Sequence, residues 1–110
     1  MNIIKEIGTP AMLEQLAEES VELAHACLKL SRKIRDENPT PREYDDIRDS
    51  VIEEISDVYL CIDFIIDKLH INPWTLVEME AKKKQRWIER MKVKRDENEK
   101  SGNQKKPEER

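Results

Sequence analysis

Three times in this chain of 110 residues a side chain suited to capping a helix stands directly before a proline: Thr9-Pro10, Thr40-Pro41 and Asn72-Pro73. Threonine and asparagine oxygens accept hydrogen bonds from the free N–H groups of a first helical turn, and proline at the first helical position lacks an N–H that would go unpaired. Each pair predicts a helix start, and Thr40-Pro-Arg-Glu43 also fits the capping box. Between these points apolar residues recur at intervals of three and four. The first segment carries Leu13, Leu16, Ala17, Ser20, Leu23, Ala24, Cys27 and Ile34, and the second Tyr44, Ile47, Val51, Ile55, Val58, Ile62, Ile65 and Leu69. The third carries Trp74, Val77, Ala81, Ile88 and Met91, with Lys84 inside the stripe. This is a helical period, and no segment alternates as a strand would. The expected fold is all-α: an antiparallel bundle of three long helices near residues 10–36, 41–70 and 73–95, followed by a polar, disordered tail over 96–110.

That periodicity matters because 40% of the residues are charged and only 5% aromatic, a composition that would otherwise favour disorder. The net charge of −4 hides an uneven layout: residues 1–80 hold 8 basic and 18 acidic groups, while residues 81–95 hold 8 and 1. An acidic body beside a short basic strip argues against nucleic acid as a partner, since the body would repel a phosphate backbone. No apolar run approaches the roughly 20 residues that span a bilayer, and Met1 to Pro10 lacks the basic and apolar regions of a secretory leader. A cytoplasmic location and no membrane partner are expected. Cys27 and Cys61 sit in periodic segments without metal or redox spacing, which predicts buried, reduced thiols. The two glycines, Gly8 and Gly102, lie outside the periodic segments, so there is no glycine-rich phosphate loop. From Val58 to Ile71 the second helix is apolar on nearly every side, with Leu60 and Phe64 opposite its main stripe, and such a helix must be covered all round. A second copy of the chain is expected to complete the bundle; Ile3, Ile4 and Ile7 offer the alternative cover.

Glu18, Glu19 and Glu22 form EExxE within one 100° arc of the first long helix, and Glu54 with Asp57 forms ExxD on the second. Glu19 borders the apolar arc of its helix, and Glu54 sits inside the arc of Ile47, Val58, Cys61 and Ile65. A carboxylate there requires a cation. A tight return near residues 37–40 makes level residues sum to about 77, which brings Glu19 and Glu22 opposite Glu54 and Asp57. Four converging carboxylates suit Mg²⁺ or Mn²⁺, ions that keep waters and take phosphate oxygens. The same arithmetic puts the basic strip, Lys82 to Arg90, level with the acidic groups. Lys84, and Arg86 within the same strip, are therefore candidate phosphate contacts, although lysines near a helix C-terminus also offset its dipole. Glu22-x-x-His25 matches a diiron signature, but its counterpart Asp67-x-x-His70 falls about 18 Å away along the axis, so both histidines are poor ligand candidates.

Glu18-Glu19-Ser-Val-Glu22 followed by Glu54-Ile-Ser-Asp57 on the next long helix resembles the paired EExxE and ExxD motifs of the MazG-like, all-α nucleoside triphosphate pyrophosphohydrolases, over about residues 10–95. The resemblance implies a Mg²⁺-dependent enzyme that splits a nucleoside triphosphate between its α and β phosphates. By position, Glu19, Glu22, Glu54 and Asp57 would be metal ligands, and Glu18 would assist a second metal or orient water, with Glu18 and Glu19 serving catalysis. It also implies a homodimer or homotetramer. The 31 residues between Glu22 and Glu54 exceed the spacing expected of the family and leave room for an extra short helix around Arg42 to Asp49. The basic strip lacks the asparagine that some members combine with a lysine. For the base, core packing is the expected fate of Trp87 and Tyr59, so no base-binding residue is assigned. The competing expectation is a non-catalytic helical module for dimerisation or partner binding, with a degenerate metal site.

Overall fold

The computed structural model of the chain describes residues 3–36 and 42–101, with side chains from Lys5 onward in the first of these stretches. Its elements are α1 (Ile3–Glu6), α2 (Thr9–Arg35), α3 (Tyr44–Lys68) and α4 (Pro73–Ser101), and no strand occurs among the described residues. The chain divides into two compact units, Met1–Ile71 with α1 to α3 and Asn72–Arg110 with α4. No helix is long and apolar enough to cross a membrane among the described residues.

The helix ends follow local chemistry, not always as the dipeptides suggest. Asn72 caps α4 as expected: its side-chain oxygen accepts from the Trp74 N–H at 3.0 Å and its carbonyl from the Thr75 N–H at 3.0 Å. Thr9, by contrast, is already helical, and the cap is Gly8, extended and without a side-chain cap bond. Pro10 therefore stands one position later than expected, which the first turn tolerates because its N–H would have no helical partner there either. α3 starts at Tyr44 with Glu43 as its cap; Thr40 and Pro41 lie outside the described residues. Arg42 secures this start, its guanidinium donating to the Asp46 carbonyl at 3.0 Å and to Ser50 Oγ at 3.1 Å. Residues 44–49 are thus the opening turns of α3 and not a separate short helix. α3 closes in a Schellman turn, with His70 left-handed at φ 52° and the Ile71 N–H donating to the Ile66 carbonyl at 2.9 Å. α4 continues to Ser101, past the expected end near residue 95. Lys, Arg and Glu are good helix formers, and no breaker intervenes before Gly102.

Only eight residues separate α2 from α3. They reach at most about 28 Å, whereas α3 is about 37 Å long, so helices in contact along their lengths must run antiparallel. The seam between them reads Met12, Leu16, Glu19, Leu23, Ala26, Leu30 and Lys33 on α2, and Ile47, Val51, Glu54, Val58, Cys61, Ile65 and Lys68 on α3. Every one of these is buried or half-buried, at the alternating spacing of four and three that keeps two helices in register. Of the α2 stripe expected from sequence, Leu16 and Leu23 face the seam while Leu13, Ala17, Ser20, Ala24, Cys27 and Ile34 are exposed. α2 carries two apolar columns one residue apart, and the one with the larger side chains is buried. Cys27 is consequently exposed, contrary to expectation, whereas Cys61 is buried. α1 lies against α3, so the N-terminal segment does supply part of the cover for that helix. Tyr59 and Leu60 nevertheless remain 66% and 55% exposed.

One residue onward from each seam position is a 100° rotation, and in an antiparallel pair both rotations lead to the same side. On that side lie Leu13, Ala17, Ser20, Ala24 and Cys27 of α2 beside Ile52, Ile55, Tyr59, Ile62, Ile66 and Leu69 of α3. One residue back leads to the opposite side, where Gln15, Glu18 and Glu22 stand beside Asp46, Ser50, Glu53 and Asp57. The α2–α3 hairpin therefore has an apolar face and an opposite face that is acidic around Glu19 and Glu54 and carries Leu60 and Phe64 farther along α3. The latter is where the seam carboxylates open.

Candidate metal centre

Glu19 and Glu54 lie halfway along the seam, with Leu16 and Leu23 above and below Glu19, Val51 and Val58 above and below Glu54, and the polar Gln15, Glu22, Ser50 and Asp57 on their other flank. Each of Glu19, Glu54 and Asp57 offers a carboxylate oxygen, and these three atoms lie within 4.8 Å of one another. All three residues are half-buried. The residue numbers of Glu19 and Asp57 sum to within one, and those of Glu19 and Glu54 to within four, of the value expected from the connection. An ion pair of α3, Arg48 with Asp49 at 4.0 Å, lies on the exposed surface away from the three carboxylates.

The centre of the strain is Glu54. Its Oε2 is inaccessible to solvent and has no hydrogen-bond partner, although the residue as a whole is only half-buried. Loss of hydration raises the Glu54 carboxyl above its ordinary pKa of 4.5, and the charges of Asp57, Glu19, Glu22 and Glu53 raise it further, in that order. Beneath it on α3, burial followed by the charges of Glu19 and Asp57 raises the Cys61 thiol, which stays protonated and acts as a packing group. A buried oxygen without a donor, surrounded by like charges, fits a hard divalent cation by both charge and ligand type. Three carboxylates also leave room in an octahedral shell for water and phosphate oxygens.

A pH dependence follows. Because the folded pKa of Glu54 lies above 4.5, the native state holds a proton that the unfolded chain has already released over the interval between the two values. The resulting stability is fully present below about pH 4.5 and is lost as pH rises through the folded pKa. In a metal chelator, melting temperature should therefore fall more steeply above that pH for the wild type than for Glu54→Gln. Parallel profiles would refute this.

The other expected site residues are placed less centrally. Glu22 is exposed on the acidic face, close enough to raise the Glu54 pKa but outside the three-carboxylate group. Glu18 is exposed on the same face. His25 is exposed and His70 ends α3, the surface and helix-end positions expected of them. Lys84 and Arg86 lie on α4 in the second unit, and both are exposed, as are Tyr59 and Trp87. Sequence reasoning did not mark Gln15, whose side-chain amide donates to Glu19 Oε1 at 2.8 Å. The available signal was its position four residues before a glutamate. No protein-family model, curated protein or solved structure matches this chain.

Proposed function

We propose that the α2–α3 hairpin is the catalytic half of a Mg²⁺-dependent, MazG-like nucleoside triphosphate pyrophosphohydrolase. The observation that carries the reading is the carboxylate group of Glu19, Glu54 and Asp57, in which Glu54 Oε2 is inaccessible to solvent and without a hydrogen-bond partner. A divalent cation held by these three residues would supply neutralisation of the triphosphate and a more acidic water. Glu19, Glu54 and Asp57 fix the ligand geometry because two of them project from the seam itself, where packing limits their rotamers. Glu22, one turn from Glu19 along the acidic face, would serve as a further ligand to a Mg²⁺ ion that accompanies the triphosphate. Glu18 orients the attacking water and takes its proton. In the reaction the water oxygen bonds to the α phosphorus, the bond from that phosphorus to the α–β bridging oxygen breaks, and pyrophosphate leaves with the electron pair.

The apolar face of the hairpin is proposed to bind a second copy, which would form a four-helix bundle and leave both acidic faces open to substrate. Tyr59 and Ile52, 66% and 48% exposed in the chain, are the side chains that most need such cover. Light scattering should return at least twice the 13.1 kDa chain mass; a monomer at assay concentrations would remove this part of the proposal.

The activity itself is tested by incubating the protein with a panel of nucleoside and deoxynucleoside triphosphates plus Mg²⁺ and identifying the products. Monophosphate and pyrophosphate in equal amounts are expected from at least one substrate. No turnover on any of them, together with no Mg²⁺-dependent rise in melting temperature, would favour a non-catalytic assembly module instead.

A further inference from the structure

We infer that Gln15 is a positioning residue for the cation site, acting through Glu19; the inference rests on the metal-site reading above. Gln15 stands one helical turn before Glu19 on the acidic side of the α2 seam, and its Nε2 donates to Glu19 Oε1 at 2.8 Å. Among the described residues no other side-chain hydrogen bond reaches the three carboxylates. Glu54 Oε2 has no partner at all. Glu19 is therefore the one ligand whose carboxylate plane is fixed from outside the cluster.

The chemistry of the donor matters. A lysine or arginine at position 15 would also hold Glu19, but its charge would neutralise the cluster and compete with a cation for the same oxygens. The glutamine amide is neutral: it occupies lone-pair density on one oxygen, fixes the terminal torsion, and leaves the net charge of the site intact. An outer partner of this kind orients a ligand and raises its effective affinity, and its loss characteristically lowers metal affinity about 10–100-fold. Because Gln15 is exposed, its truncation removes little packing.

The molecule contains its own control. On α4, Gln85 Nε2 donates to Glu89 Oε1 at 3.3 Å, the same pair at the same helical spacing on a helix that carries none of the three carboxylates. The experiment measures Mn²⁺ binding to the full chain by electron paramagnetic resonance for wild type, Gln15→Ala and Gln85→Ala, alongside metal-free melting temperatures. Expected is about a tenfold weaker affinity for Gln15→Ala, at the bottom of the range for outer partners. Its bound spectrum should be broadened, its metal-free melting temperature unchanged, and Gln85→Ala should bind as wild type does. Wild-type affinity in Gln15→Ala, or an equal loss in both variants, would overturn the role of Gln15 while leaving the metal site standing. No Mn²⁺ binding by the wild type would overturn both.

Discussion

Glu54→Gln is expected to abolish Mg²⁺-dependent pyrophosphate release, lowering it more than about a hundredfold, while the α2–α3 hairpin stays folded. The size follows from what the substitution removes. Changing even an outer partner of a ligand lowers affinity by up to about a hundredfold, and in the proposed site Glu54 is the central ligand, its Oε2 shut away from solvent and its carboxylate grouped with those of Glu19 and Asp57. The amide keeps the shape and half of the acceptor capacity but loses the charge. In the metal-free protein the same change relieves the burial and like-charge effects that raise the Glu54 carboxyl, so the variant should melt higher than wild type without Mg²⁺ and gain less from adding it. Asp57→Asn, on the open side of the site, should lose activity similarly with a smaller change in metal-free melting. Loss of activity through unfolding would instead lower the metal-free melting temperature. Full activity in either variant would remove these residues from the site.

Ile47→Ala should produce the largest loss of stability among single core substitutions. Ile47 is 1% exposed and, among the described residues, belongs to a core of six buried apolar residues, with Met12, Ala26, Val58, Cys61 and Ile65. Truncating a buried isoleucine costs about 2–5 kcal/mol. A unit of about 70 residues is stable by only about 4–10 kcal/mol, so roughly a fifth of that stability or more would be removed. Ile34→Ala, at a position 66% exposed, provides the comparison and should fall within about 0.5 kcal/mol of wild type. Urea denaturation of both variants checks the difference. Equal midpoints would mean that Ile47 is not a core residue.

The three long helices and the meeting of two acidic motifs were readable in the sequence because each rests on a local rule: period, cap, and the short return between α2 and α3. Asn72 capped α4 as its chemistry required, and Glu19 met Glu54 and Asp57 at the expected level. What was less legible depends on competition between near-equal options. α2 offers two adjacent apolar columns, and only packing against α3 selects Met12, Leu16, Leu23 and Leu30 over Leu13, Ala17, Ala24 and Cys27. That choice moves Glu19 from the edge of the stripe into the seam and leaves Glu22 on the open face. Gly8 capping α2 in place of Thr9 is another such case, since Pro10 is compatible with either start. The basic strip belongs to α4, whose residues are all exposed, and its charge alone does not specify what it meets.

The cation site itself is tested most directly by anomalous diffraction from a crystal of the protein grown or soaked with Mn²⁺. The expected result is one ion bonded at about 2.1 Å to an oxygen of each of Glu19, Glu54 and Asp57, with Oε2 as the Glu54 ligand. A crystal saturated with Mn²⁺ in which these three carboxylates hold no ion, or in which the ion sits among other residues, would contradict it.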